Sequence, residues 1–225
     1  MKHILVVAGG SALAQEYIED VLAERDDRKE PTSRVTALVR HGVRSDYLQP
    51  FDRLKYTSDP WTVETGIDAM VTFAGKTDDA KIVDMTRQQF ETAISGCLTS
   101  VFDSFRFFGG SILDGGSVVV VGSVVGSTGG YGCANYAAAK AGLVGLVRAA
   151  ANEMAKRRVR VNLLELGYTE VGMGAKLSDS VKARVIETIP LGRFATSTEV
   201  YQAIKFLTEQ TYMTGNVLPF SGGLR

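Results

Sequence analysis

Residues 116–145 read GSVVVVGSVVGSTGGYGCANYAAAKAGLVG, and this stretch decides the fold. Val118, Val119, Val120 and Val121 form an apolar run without alternation, which fits a strand buried on both faces of a parallel sheet. A glycine- and serine-rich turn follows, then an alanine-rich stretch suited to a helix. Ser123 falls just past the strand, at the carboxyl end where open α/β sheets bind ligands. Tyr136 and Lys140 are four residues apart, so on a helix they share one face. There an ammonium can hold a phenol closer to its ionised form and make it a usable proton donor or acceptor.

Outward from this stretch, short apolar runs alternate with amphipathic segments, the pattern of repeated β-α-β units. Strands are expected at residues 3–8, 35–39, 68–73, 117–121, 160–164 and 216–220. Helices are expected at 13–24, 87–108, 136–157, 178–188 and 197–209, the last opened by an N-capping hydroxyl in Ser197-Thr198-Glu199. Only seven residues separate Pro60 from Asp68, too few for a crossover helix, so one helix of the pattern is expected as a mere turn. The charged, proline-broken stretch 26–33 reads as a solvated loop. No repeat or linker divides the chain. The expectation is one doubly wound, Rossmann-like α/β domain over residues 1–225.

With 225 residues, 45% of them hydrophobic, the chain can bury a full core. Its 25 basic and 25 acidic side chains cancel, which argues against nucleic acid or an anionic membrane surface as a partner. No apolar run is long enough to span a membrane. Met1-Lys2-His3 leads directly into the first strand, leaving no room for a signal peptide, so a cytoplasmic location is expected. Cys97 and Cys133 make no disulfide framework and no metal-ligand spacing, and no metal is expected.

Read together, these segments resemble the short-chain dehydrogenase/reductase family, most closely its 3-oxoacyl-(acyl-carrier-protein) reductase branch. The resemblance runs from about residue 3 to residue 223. It is densest over residues 116–145 and continues in Val159-Arg-Val-Asn162, Gly167, Ile189-Pro-Leu-Gly-Arg193 and Ser221-Gly222-Gly223. The thirteen-residue interval from Ser123 to Tyr136 and the Tyr-x-x-x-Lys spacing both match. The resemblance implies that Tyr136 exchanges a proton with the substrate oxygen and Ser123 hydrogen-bonds that oxygen. Lys140 would bind the nicotinamide ribose while biasing the tyrosine. It further implies a cofactor cleft involving Gly9, Ser11, Leu13, Arg40, Ala74, Gly75 and Gly167 besides Tyr136 and Lys140.

Several positions depart from the family pattern. The first turn, normally Thr-Gly-x-x-x-Gly-x-Gly, is Ala8-Gly9-Gly10-Ser11-Ala12-Leu13-Ala14-Gln15, so Leu13 and Gln15 replace glycines that let the backbone approach the pyrophosphate. A β-carbon there should push cofactor or helix outward, although the helix N-terminus still favours phosphate. Thr72-Phe73-Ala74-Gly75 stands for Asn-Asn-Ala-Gly, and Cys97 for a helix asparagine that holds a relay water; a thiol is a poor substitute. After the second strand comes Arg40, with no carboxylate to bond an adenosine ribose diol. NADP(H) is therefore favoured over NAD(H).

Two function classes compete. The first is an NADPH-dependent reductase of a ketone, a small molecule or a carrier-protein-bound 3-oxoacyl thioester, with Arg157 and Arg158 as a basic docking pair. The second is a weakly active or inactive subunit of this fold that pairs with or stabilises a partner enzyme. In either case a homodimer or homotetramer is expected, joined through helices 87–108 and 136–157.

Overall fold

The computed structural model describes residues 1–8, 11–39 and 54–225. Seven parallel strands form one sheet: β1 (Lys2–Val7), β2 (Ser33–Leu38), β3 (Leu54–Thr57), β4 (Ile67–Thr72), β5 (Ile112–Val121), β6 (Arg160–Leu166) and β7 (Val217–Phe220). Their spatial order is β3-β2-β1-β4-β5-β6-β7. The chain thus winds outward from β1 in one direction and from β4 in the other. The reversal leaves a crevice at the carboxyl ends of β1 and β4, paired through Val7 and Thr72.

The sequence explains the burial. Five consecutive residues of β1 are buried, because side chains on both faces meet helices. Ile4 and Val6 join a core formed with Tyr17, Ile18 and Leu22 of α1 (Ala12–Ala23) and Val200, Ile204 and Leu207 of α7 (Ser197–Glu209). Leu5 and Val7 point the other way, into a core with Val101 and Phe108 of α3 (Ser100–Phe108) and Leu143 and Val147 of α5 (Ala134–Met154). The strand period of two sorts one sequence onto two helical layers.

The anticipated α/β architecture is present, with corrections in detail. The trimmed crossover is a single 3₁₀ turn, Pro60–Thr62, capped by the Asp59 carboxylate. The four-residue edge strand β3 was not anticipated. The helix expected over 87–108 is three pieces: α2 (Arg87–Ile94), a π turn (Ser95–Thr99) and α3. A short helix α4 (Val125–Thr128) precedes α5, and α6 (Asp179–Thr188) follows β6. The cap of α7 is Thr196, not Ser197. Its hydroxyl accepts from the Glu199 N–H, and the Glu199 carboxylate accepts from the Thr196 N–H, a reciprocal box. No helix among the described residues is long and apolar enough to cross a membrane.

Candidate active site

Ser123, Tyr136 and Lys140 converge where the sequence predicts. The β5–β6 ladder runs one step past the strands, with Gly122 N–H donating to Leu164 O (2.8 Å) and Val124 N–H to Leu166 O (2.9 Å). Ser123 is thereby fixed at the strand end, its Oγ accepting from Val125 N–H at 3.3 Å. The short helix α4 then lies against α5. A β-carbon on Gly126 would sit 2.9 Å from the Ala141 nitrogen and the Lys140 carbonyl carbon, so only glycine permits that approach. Ser123 is thereby brought near the buried Tyr136 phenol, whose ionised form it favours.

Lys140 is fully enclosed. Its Nζ donates to the carbonyls of Ala74 (2.9 Å) and Val121 (3.0 Å), the ends of β4 and β5. The ammonium also stands 5.6 Å from the centre of the Tyr136 ring. Burial pushes it down to about 8 from its ordinary value of 10.5. Burial pushes the Tyr136 phenol up instead, and Ser123 offsets only part of that. In so enclosed a site desolvation is the largest influence on the phenol and favours its neutral form.

One neighbour escaped the sequence reading. Asn135 is fully buried; its Nδ2 donates to Asp78 O (2.8 Å) and Gln89 O (3.2 Å), while its Oδ1 accepts the Tyr136 N–H (2.8 Å). It ties the start of α5 to α2 and to the segment after β4. A polar residue directly before Tyr136 in an apolar helix was the available signal. Cys97 is buried in the π turn beside Tyr136 and Ala139. Its thiol accepts from Lys76 N–H (3.2 Å) and donates to Lys76 O (3.1 Å), so it serves as a hydrogen-bonding group after all.

A cavity of about 850 Å³ opens at the crevice, lined by Ala8, Ser11, Leu38, Ala74 and Gly75 and by residues of α2 and α3, but not by Ser123, Tyr136 or Lys140. Ser11 caps α1, its hydroxyl accepting from Ala14 N–H at 3.3 Å, so the first N–H groups of the helix face the crevice. Ala8 adopts a left-handed φ of 61°, a strained conformation for a residue with a β-carbon and one met at functional turns. Leu13 lies in the first turn of α1. It packs partly on the α1–α7 core, its β-carbon 4.0 Å from where one would sit on Gly172, in the loop after β6. Gly9 and Arg40 lie outside the described residues. Gly167 packs β6 against the C-terminal segment: a β-carbon there would lie 2.8 Å from the Ser221 Cα. Ser11, Ala74 and Gly75 at this crevice are residues that could hold a nucleotide cofactor.

Arg157 is committed elsewhere. Its guanidinium pairs with Asp114 (2.9 Å) and donates to the carbonyls of Gly109 and Ile112, locking the end of α5 to β5. Of the expected docking pair, only Arg158 remains uncommitted among the described residues. Among those residues, no group of three or more His, Cys, Asp or Glu side chains could hold a metal ion.

The fold is a doubly wound α/β sheet with a crevice at the carboxyl ends of β1 and β4, and the comparisons give its class. Residues 55–225 match the family model described as Enoyl-(Acyl carrier protein) reductase. The chain is 40% identical over 162 residues to the 3-oxoacyl-[acyl-carrier-protein] reductase FabG of Thermotoga maritima, a match covering 70% of this chain and 66% of that protein. It is 32% identical over 239 residues to the enzyme of the same name from Escherichia coli, covering 98% and 96%. The acetoacetyl-CoA reductase of Allochromatium vinosum is 40% identical over 162 residues, covering 70% of this chain and 65% of that one. A solved structure, a short chain dehydrogenase family protein from Francisella tularensis, superposes with a TM-score of 0.85 at 18% identity, covering 100% of this chain and 98% of that one, which establishes shared fold. The chain belongs to the short-chain dehydrogenase/reductase family. It is an oxidoreductase of the carbonyl/alcohol class.

Proposed function

We propose that this protein reduces the ketone of a 3-oxoacyl thioester, using NADPH and Tyr136 as the proton donor. One observation carries the reading: a buried phenol, with Ser123 beside it and a buried ammonium one helical turn away, stands at the carboxyl edge of the sheet. The chemistry a bound dihydronicotinamide supplies is hydride donation to the carbonyl carbon. As charge develops on the carbonyl oxygen, the Tyr136 O–H transfers its proton there, and Ser123 donates a hydrogen bond to the same oxygen. Lys140 places a positive charge close to the phenolate left behind and lowers its cost. Two of its three N–H donors are taken by carbonyls, and the third suits a ribose hydroxyl.

NADPH over NADH rests on Arg40 and on the missing carboxylate after β2. The names of the relatives support a 3-oxoacyl thioester, on a carrier protein or coenzyme A. Assembly as a homodimer or homotetramer is supported by the half-exposed rings of Phe90, Phe102 and Phe107 on α2 and α3. The experiment is a nicotinamide absorbance assay with acetoacetyl-CoA and NADPH, NADH as comparison, and Tyr136→Phe as control. Full activity of that variant would refute the mechanism. A second reading, a partner-stabilising subunit without turnover, is favoured by Leu13 at a glycine position. Calorimetric binding of NADPH would count against it.

A further inference from the structure

Cys97 stands in the wide turn that interrupts the α2–α3 helix, with its thiol bonded to Lys76. We propose that Cys97 is a positioning residue for the proton-transfer site, clamping segment 74–76 so that the Ala74 carbonyl holds Lys140 in place. The inference rests on the reading of Tyr136 and Lys140 given above.

The chain of contacts is short. The thiol bonds both backbone polar groups of one residue, accepting from Lys76 N–H at 3.2 Å and donating to Lys76 O at 3.1 Å. Two residues earlier, the Ala74 carbonyl accepts from Lys140 Nζ at 2.9 Å. The helix and the segment also touch directly. A β-carbon on Gly96 would lie 2.7 Å from the Lys76 Cβ, so Gly96 admits the segment to the depth at which the neighbouring thiol can grip it. The π turn supplies the register, since its extra residue per turn is what separates Gly96 and Cys97 from the regular helical face. Cys97 also packs on Tyr136 and Ala139, on the same helix as Lys140. One small side chain therefore joins a wall of the cavity, the tyrosine and the lysine. A thiol is a weak donor and acceptor, so the clamp depends on both bonds together.

The test compares Cys97→Ser, which keeps a donor and an acceptor, with Cys97→Val, which fills the space and bonds nothing. Acetoacetyl-CoA and NADPH are the substrates, and thermal melting monitors the fold. The titratable groups facing the pair are Tyr136 and Lys140 from α5, Cys97 from the π turn, and Cys133 and Asp79 near the phenol. Cys97→Ser is expected to stay within ~3-fold of the parent kcat. Cys97→Val is expected to lose ~10- to 100-fold in kcat with little change in KM. Its alkaline limb should also move to lower pH, because an ammonium deprived of one carbonyl partner loses its proton more readily. A folded Cys97→Val protein with the parent rate and limb would overturn the proposal, as would equal losses in both variants. Should Cys97→Val fail to fold, Cys97→Ala serves in its place with the same criteria. A second readout is the Lys140 titration in cofactor-free, ¹³C-lysine-labelled protein, with Lys140→Met to assign the resonance. It applies even if the parent shows no turnover, so failure of the functional reading and failure of the clamp are distinguishable. An unshifted Lys140 in Cys97→Val refutes the clamp.

Discussion

Lys140 Nζ lies 2.9 Å from the Ala74 carbonyl oxygen and 3.0 Å from that of Val121, so one ammonium bridges the ends of two adjacent strands of the sheet. Neutral carbonyls satisfy its hydrogen-bonding needs without supplying a counter-charge. Burial is consequently left free to pull the lysine down to about 8.

This relationship sets the alkaline limit of activity. The ammonium is the working form, so kcat/KM should be level below pH 8 and fall as pH rises through about 8. A kcat/KM profile against pH tests it, and a plateau continuing to pH 10 would contradict the assignment.

Removing the phenol or the serine hydroxyl should act on the chemical step. Tyr136→Phe is expected to lower kcat by ~10²–10⁴-fold, and Ser123→Ala by ~10²-fold, with melting temperatures near the parent value. Steady-state kinetics distinguish this from a binding defect, in which KM rises and kcat holds.

Leu13 tests the cofactor end. Leu13→Gly should tighten NADPH binding in calorimetry, since the backbone of the first turn becomes approachable. It should cost about 1 kcal/mol of helix stability. Unchanged or weaker binding would show that the leucine is no obstacle.

Thr72, at the end of β4, carries a buried hydroxyl that finds no hydrogen-bond partner among the described residues. An orphaned buried hydroxyl costs ~1–3 kcal/mol, and valine fills the same shape without it. Thr72→Val should raise the urea midpoint by an amount equivalent to about 1 kcal/mol.

His3 predicts acid sensitivity. It is buried in β1, sharing a 2.9 Å hydrogen bond with Thr36, and burial together with Arg34 lowers it below 6.5. A base depressed in the folded state binds fewer protons there than when unfolded. Its contribution is complete above pH 6.5 and is lost as pH falls below that value. Urea melts between pH 7 and 5 should steepen this loss in the parent and flatten in His3→Gln.

Much of the molecule was legible in its sequence where burial and periodicity coincide. Val118, Val119, Val120 and Val121 announce a central strand, and the Tyr136–Lys140 spacing announces a shared helical face. What was illegible has identifiable causes. Leu-Lys-Tyr-Thr of β3 is a half-exposed edge strand, too short and too polar to stand out from a loop. The π turn at Ser95–Thr99 leaves the apolar pattern of α2 and α3 almost unchanged, so periodicity reads through it. The alternative hydroxyls Thr196 and Ser197 are equally good caps by type, and only the backbone angle at Thr196 decides. The direction of the Tyr136 shift is a matter of tertiary enclosure, which spacing does not encode. The partners of Cys97 lie 21 residues away, and nothing local marks them.

The helix carrying Tyr136 and Lys140 is pinned at both extremities, by Asn135 to α2 and the segment after β4, and by Arg157 to β5. It behaves as a fixed rail. On the proposed mechanism, the proton donor therefore keeps one place whatever the bulk of the substrate.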